Sequence, residues 1–193
     1  MKLIVNEIFY SLQGEGARAG RPSIFIRLSK CNLLCSFCDT EFELGKEMSL
    51  EDIQNEIEKF GCKWIVWTGG EPTLQLTDEM VAFFNNKGYL QAIETNGTRK
   101  VPEGIDYITC SPKRHFERIK ELIPHAHELR FPMAKGDELP KLQDLPEADN
   151  YLLSPIFDAD KLNIENLDYC VKLIKENSQW SLSVQLHKLI KIP

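Results

Sequence analysis

The sequence predicts an α/β fold in which a parallel sheet is joined by crossover helices. Two observations predict it, and the length of the chain limits its form. Strand-like runs alternate with helical spacings of apolar residues, and parallel neighbours require such crossovers. Hydrophobic residues make up 42% of the chain and charged residues 27%, the balance of a globular protein rather than a disordered or low-complexity one. At 193 residues the chain supports one core and is short for two, so a single domain over 1–193 is expected. A complete eightfold barrel takes about 250 residues. A sheet that curls here must therefore form a reduced and partly open barrel.

Taken in order, period-2 runs rich in β-branched and aromatic residues place strands at 23–28, 63–68, 89–95, 106–110, 126–131, 150–153 and 181–187. Ser49 is the expected N-cap of a helix carrying Leu50, Ile53, Ile57 and Phe60, with Gly61 as its stop. Thr77 opens a second helix with Met80, Phe83 and Phe84, stopped at Gly88. A third carries Ile164, Leu167, Val171 and Ile174. The later connections hold no equally clear helix, and 135–149, rich in Pro, Asp and Glu, reads as a surface loop. No repeat or linker divides the chain.

Lys and Arg number 23 against 29 Asp and Glu, and the net charge of −6 speaks against nucleic acid or an anionic membrane as the main partner. No apolar run is long enough to span a bilayer. The apolar opening of the chain is interrupted at Asn6 and Glu7, too soon for a signal peptide, and a cytoplasmic protein is expected. Among six cysteines, Cys31, Cys35 and Cys38 fall within eight residues, whereas Cys62, Cys110 and Cys170 stand singly in apolar surroundings as small buried hydrophobes. In a reducing compartment the cluster reads as metal binding or catalysis rather than as a disulfide framework.

The triplet Cys31-x3-Cys35-x2-Cys38 follows the run Ile24-Phe25-Ile26-Arg27-Leu28. Three thiolates on one short loop can hold three irons of a cubane cluster, which ordinarily takes four cysteines, and leave one iron open to a ligand. Taken alone, the triplet also fits a zinc knuckle completed from elsewhere, or a group of buried thiols. Thr68-Gly69-Gly70-Glu71-Pro72 ends the strand expected at 63–68. Ligands collect at the carboxyl ends of parallel strands, and glycines let backbone carbonyls approach a ligand ammonium closely. Glu71 would add an anionic acceptor; a plain glycine turn into the next helix is the simpler alternative.

Together the two motifs resemble the radical S-adenosylmethionine superfamily, whose cofactor chelates the open iron through its amino nitrogen and carboxylate. The resemblance narrows with Phe9-Tyr10-Ser11-Leu12-Gln13-Gly14-Glu15-Gly16, Gly20-Arg21-Pro22-Ser23, Cys38-Asp39-Thr40, Glu94-Thr95-Asn96-Gly97-Thr98, Ser111-Pro112-Lys113 and Ser183-Val184-Gln185-Leu186-His187-Lys188 running to Pro193. These segments are similar to the 7-carboxy-7-deazaguanine synthase family over nearly the whole chain. The resemblance implies a reduced, partly open radical-SAM-type (β/α) barrel. It also implies a lyase that converts 6-carboxy-5,6,7,8-tetrahydropterin to 7-carboxy-7-deazaguanine with release of ammonia, in queuosine biosynthesis. The implied cofactors are a [4Fe-4S] cluster, S-adenosyl-L-methionine and Mg2+. A radical derived from the cofactor would abstract hydrogen from C6, ring contraction would follow, and return of the hydrogen would regenerate the cofactor before ammonia is lost.

Carried over residue by residue, the resemblance makes Cys31, Cys35 and Cys38 the cluster ligands and Thr40 a magnesium ligand. S-adenosylmethionine would be held by Phe37, Cys38, Asp39, Gly70, Glu71, Ser111, Pro112, Lys113, Ser154, Pro155, Ile156 and Phe157. Substrate would meet Leu12, Gln13, Gly14, Glu15, Arg27, Thr68, His187 and the α-carboxylate of Pro193. A homodimer and a flavodoxin-like electron donor are implied as partners.

Residue chemistry agrees at several of these positions. Arg27 is a fork-shaped, permanently charged partner for the substrate carboxylate and points opposite to Ile26 and Leu28 in its strand. Gln13 and Glu15 offer the paired donors and acceptors that a pterin edge asks for. Magnesium takes few of its oxygens from protein, so one threonine is reasonable. A strand over 181–187 would put Ser181, Ser183, Gln185 and His187 on one face and Leu182, Val184 and Leu186 on the other, the polar face lining the lumen. Ordinary alternatives stand beside each: a solvated arginine, a polar hairpin turn, a cap at Thr40, strand-ending Ser-Pro turns. His115, His125 and His127 read as surface or structural residues. Two rival classes share the cysteine spacing, a radical activase of a glycyl-radical partner protein and a small zinc or iron-sulfur module. The activase gives no reason for the motifs at Gln13 to Glu15 and His187 to Pro193, and the module would need no open iron.

Overall fold

The computed structural model describes residues 1–35, 44–113 and 116–193. Its strands are β1 Lys2–Leu12, β2 Pro22–Leu28, β3 Lys46–Ser49, β4 Trp64–Gly69, β5 Leu90–Thr95, β6 Tyr107–Cys110, β7 His125–Met133, β8 Glu147–Pro155 and β9 Trp180–Leu182. They form one sheet in the order β3-β1-β2-β4-β5-β6-β7-β8-β9. Every pairing from β2 to β9 is parallel, and β1 runs antiparallel to both β2 and β3. The helices α1 Leu50–Glu58, α2 Asp78–Asn85, α3 Phe116–Leu122 and α4 Ile164–Glu176 lie in the crossovers, and α5 Leu186–Ile190 follows β9. The sheet does not close on itself, as expected, and β3 and β9 are its edges. No helix among the described residues is long and apolar enough to cross a membrane.

The helix starts are set by local chemistry. Ser49 Oγ accepts the Asp52 N–H at 3.0 Å while Asp52 Oδ2 accepts the Ser49 N–H at 3.2 Å, a reciprocal capping box for α1. Thr77 Oγ1 accepts the Met80 N–H at the start of α2. Ile24, Ile26 and Leu28 of β2, Ile65 and Trp67 of β4 and Ile93 of β5 are fully buried in one core with Ile53, Ile57 and Phe84 of α1 and α2.

The opposite face of the sheet has two tiers. Phe25, Val66 and Ala92 form a separate apolar cluster, with Phe9, Trp64 and Tyr107 packed around it. Two residues further along β2, β4, β5 and β6 stand Arg27, Thr68, Glu94 and Thr109. Because side chains at i and i+2 share a face, these polar groups sit directly above an apolar floor, at the carboxyl ends of the strands.

Several expectations need correction. The strand expected at 181–187 lasts only from Trp180 to Leu182. Ser183 then donates its N–H to Leu153 O and accepts the Gly16 N–H at its Oγ, and Leu186 N–H bonds to Gly14 O, so the chain turns over the N-terminal loop. Gln185 and His187 accordingly belong to the start of α5 rather than to a strand face. In α4 the buried positions are Asn166 and Cys170, while Ile164, expected on the apolar stripe, is 58% exposed. Cys110 and Cys170 are fully buried as expected, but Cys62 is only half-buried. β1, β3 and α3 carry no clear signal in the sequence. A bulge between Val5 and Glu7 breaks the alternation of β1, β3 buries nothing fully, and α3 buries only Ile119.

Phe84 is fully buried and lies edge-on to Trp67, Phe83 and Tyr89. Phe84→Ala is expected to remove about 3–5 kcal/mol of stability, read from the urea midpoint. A loss below about 1 kcal/mol would show that the outer core does not depend on this ring.

Candidate active site

The cysteine loop leaves β2 and is held against the end of β4 by backbone contact. Gly70 N–H donates to Leu28 O and Glu71 N–H to Lys30 O, each at 2.9 Å. A methyl group at Gly70 would overlap the Lys30 carbonyl, and one at Gly69, whose φ is 109°, would overlap the Leu28 backbone. The glycines therefore make room first for the cysteine loop itself, although both also line the neighbouring cavity. Gln75 pins the same loop from beneath, accepting the Ile4 N–H and donating to Ser29 O, both at 2.7 Å.

Glu71 lies behind this wall, fully buried. Oε1 accepts the Thr73 N–H at 3.1 Å and the hydroxyls of Thr73 and Thr95 at 2.7 and 2.8 Å, while Oε2 accepts the Asn96 N–H at 2.7 Å. Its carboxylate thus serves the loops of the rim. From Asn96 the network continues, since Asn96 Nδ2 donates to Asn32 Oδ1 at 3.0 Å and Asn32 Nδ2 to Thr98 Oγ1 at 2.8 Å. The Glu94-Thr95-Asn96-Gly97-Thr98 turn therefore supports Asn32, the residue after Cys31.

Two cavities meet above the apolar floor. The larger, about 730 Å³, is lined by Cys31, Cys35, Gly70, Ser111, Lys113 and the run Ser154, Pro155, Ile156 and Phe157. Pro112 is buried behind Ser111. The smaller, about 470 Å³, is lined by Leu12, Gln13, Gly14, Arg27, His187 and Pro193. Glu15, Thr68 and Glu94 line both. The structure thus brings residues from both ends of the chain to one place. A methyl group at Gly14 would overlap the His187 ring, and Ser11 Oγ donates to the Pro193 carbonyl at 2.8 Å. Arg27 projects away from the buried Ile26 and Leu28, with its Nε 3.3 Å from Glu7 Oε2. Phe37, Cys38, Asp39 and Thr40 lie outside the described residues, as does His115. His125 pairs with Asp149 at 3.0 Å and His127 accepts the Ile108 N–H, both away from these cavities.

Two polar groups lie near the described cysteines of the loop. The Leu33 N–H points to Cys31 Sγ at 3.5 Å. Burial pushes the Lys113 ammonium below its usual range, with Cys35 acting in the opposite direction as a nearby anion would. The thiols set apart from the loop differ. Burial, followed by the charge of Glu71, pushes Cys110 up to about 12, and burial pushes Cys170 up to about 11, so both stay protonated and unreactive.

Arg130, on β7, is a site residue that motif reasoning passes over. Its side chain is 7% exposed, with Nη1 2.7 Å from Glu15 Oε2 and Nη2 2.9 Å from Glu94 Oε1. Glu94 Oε2 also accepts the Thr68 hydroxyl at 2.8 Å. Burial alone would raise the Glu94 carboxyl, but the Arg130 charge and the donors Thr68 and Gln13 outweigh it and hold it below the usual carboxylate range. Burial likewise works against the Arg130 charge, and Glu15, Glu94 and Glu128 overcome it. The available signal was the pair Glu128 and Arg130, two charges at i and i+2 in a strand that is otherwise apolar after His127.

The chain is similar to known proteins over nearly its whole length. The family model of the radical SAM superfamily matches residues 25–124. The 7-carboxy-7-deazaguanine synthase of Bacteroides thetaiotaomicron is 40% identical over 188 residues, 97% of each chain. That of Haemophilus influenzae is 41% identical over 196 residues, 96% of this chain and 92% of the other. The crystal structure of QueE from Escherichia coli is similar with a TM-score of 0.71 and 26% identity, covering 97% of this chain and 95% of that one.

Two outcomes are expected. Gly70→Ala should cost about 1–3 kcal/mol through overpacking and lower the iron bound per chain after anaerobic reconstitution; iron content equal to wild type would show that the cysteine loop does not need this contact. The folded Glu94 ionises below its ordinary 4.5. Its ionised form therefore stabilises the fold fully above that value, and the stabilisation is lost as pH falls through the lower folded value. The gap in urea midpoint between wild type and Glu94→Gln should narrow on acidification, and a gap independent of pH would contradict the depressed ionisation.

Proposed function

The chain belongs to the 7-carboxy-7-deazaguanine synthases of the radical SAM superfamily, and from that premise we propose that it converts 6-carboxy-5,6,7,8-tetrahydropterin to 7-carboxy-7-deazaguanine with release of ammonia. The reaction belongs to queuosine biosynthesis. Enzymes of this superfamily use a 4Fe-4S cluster with S-adenosylmethionine, which together supply a radical able to remove a hydrogen atom from carbon. The observation that carries the proposal is the meeting of two cavities. The one bearing Cys31 and Cys35 shares Thr68 and Glu94 with the one bearing Arg27, Gln13 and Pro193.

In this reading Cys31, Cys35 and Cys38 hold the cluster, with the Leu33 N–H directed at Cys31 Sγ. Gly70, Ser111, Pro112, Lys113 and the run from Ser154 to Phe157, with Phe37 and Asp39 beside Cys38, surround S-adenosylmethionine. Glu71 acts on that site through the wall it anchors. Arg27 takes the substrate carboxylate in place of its loose partner Glu7. Gln13 and Glu15, with the backbone of Leu12 and Gly14, read the pterin edge, and Thr68, His187 and the α-carboxylate of Pro193 complete the pocket. The apolar floor of Phe25, Val66 and Ala92 keeps water from the sheet side. Thr40 would supply one oxygen ligand to magnesium, an ion that takes few of its ligands from protein. The chain works as a single radical SAM core domain over 1–193, as a cytoplasmic homodimer reduced by a flavodoxin-like donor.

Anaerobic turnover with the tetrahydropterin acid, S-adenosylmethionine, Mg2+ and a reductant is expected to yield the deazaguanine acid. Its absence with a fully loaded cluster would reject the assignment. Arg27→Ala should raise the KM for the pterin by about tenfold to a hundredfold, the worth of a hydrogen bond to a charged group, at unchanged iron content. Loss of the cluster in that variant would make the arginine structural.

A further inference from the structure

We propose that Arg130 is the positioning residue of the substrate pocket, orienting Gln13 and Glu15 through a closed ring of hydrogen bonds. The inference rests on the substrate reading above, which places Gln13 and Glu15 against the pterin edge. Arg130 Nη1 donates to Glu15 Oε2 at 2.7 Å, and Glu15 N–H donates to Gln13 Oε1 at 3.4 Å. Gln13 Nε2 donates to Glu94 Oε1 at 3.3 Å, and Arg130 Nη2 returns to the same oxygen at 2.9 Å. The ring joins the loop after β1 to β5 and β7, elements that have no strand pairing with one another except through the rest of the sheet.

The fold alone does not call for such a ring. A buried ion pair is commonly no more stabilising than apolar side chains of the same volume, and the tier beneath Glu94 is already apolar. On β7 the residue below Arg130 is the buried Glu128, which bonds the Ala17 N–H and the Tyr107 hydroxyl and adds to the charge that holds the guanidinium; what an apolar replacement of Arg130 cannot do is fix an amide and a carboxylate in defined orientations at the junction of two cavities. A guanidinium can, because its planar fork sets the directions of both partners at once. Among the described residues the Glu15 oxygen that Arg130 leaves is met by Ser154 Oγ at 3.5 Å, a weak bond that a substrate donor can replace. The Gln13 side chain, 8% exposed as a residue, is set in turn by Glu94. Thus one arginine that need not touch substrate determines how two substrate-facing groups present themselves.

The test compares reconstituted wild type with Arg130→Met and Arg130→Lys. Three readings are taken: pterin kinetics, binding of S-adenosylmethionine by calorimetry, and amide hydrogen exchange over residues 14–17. Arg130→Met is expected to raise the pterin KM at least about tenfold, the worth of one misdirected hydrogen bond to a charged group, with kcat nearly unchanged. Exchange over 14–17 should quicken while S-adenosylmethionine binding holds. Arg130→Lys keeps the charge but not the fork, and should give exchange over 14–17 and a KM that both lie between those of wild type and Arg130→Met. If Arg130→Met does not fold, the lysine variant decides by the same readings. Unchanged KM and exchange in a folded variant would overturn the proposal, and lost S-adenosylmethionine binding would make Arg130 a cofactor ligand instead. Failure of the wild type to form product would count against the proposed reaction, whereas the exchange comparison would still judge the ring.

Discussion

A carboxylate without access to solvent lies behind the ends of β4 and β5, and the loops at that rim are placed by the need to satisfy it. Leaving such a group without donors would cost several kcal/mol. Glu71 meets that demand with the Thr73 and Asn96 amides and the Thr73 and Thr95 hydroxyls. The turn after β4 and the turn after β5 are therefore not independent. Asn96 passes the constraint to Asn32, and the Glu71 N–H bonds to Lys30 O, so the cysteine loop is held from two directions by consequences of one buried charge.

The second organising feature is the division of the inner sheet face along the strands. Phe25, Val66, Ala92 and Tyr107 are each followed two residues later by Arg27, Thr68, Glu94 and Thr109. A single change of residue type at one level of four adjacent strands converts a core into a site. Since the sheet stays open, the site needs side walls that strands do not provide. The N-terminal loop and the C-terminal segment supply them, joined by Gly16 to Ser183 and Leu186 to Gly14, with Ala17 N–H reaching Glu128 Oε1 at 2.7 Å.

The strands β2, β4 and β5 and the helices α1 and α2 were legible because each buries one apolar face in the core, and caps such as Ser49 and Thr77 act within a few residues of sequence. Arg27 was legible for the same reason: the alternation that buries Ile26 and Leu28 must turn it the other way. β1 was not, because its bulge shifts the period partway along. The strand expected through His187 failed for a different reason. Its alternation is real, but Ser183 and Leu186 find hydrogen-bond partners in the N-terminal loop, about 170 residues away in sequence, and those contacts outweigh continued pairing at a sheet edge. Arg130 shows the same limit, since its partner Glu15 is separated from it by 115 positions.

Three glutamates near the site look alike as letters and differ in what surrounds them. Glu71 is saturated by amides and hydroxyls from adjoining turns and has no surface in either cavity, which makes it scaffold. Glu94 and Glu15 share one guanidinium and line both cavities. Hydrogen bonds from fixed backbone groups anchor a carboxylate where the chain already runs, whereas a long, buried arginine holds carboxylates on elements that the chain itself does not connect. In an open sheet that second kind of link is what the geometry lacks. The charge pattern of the inner face therefore follows from the absence of barrel closure, and not only from the chemistry of the molecule it binds.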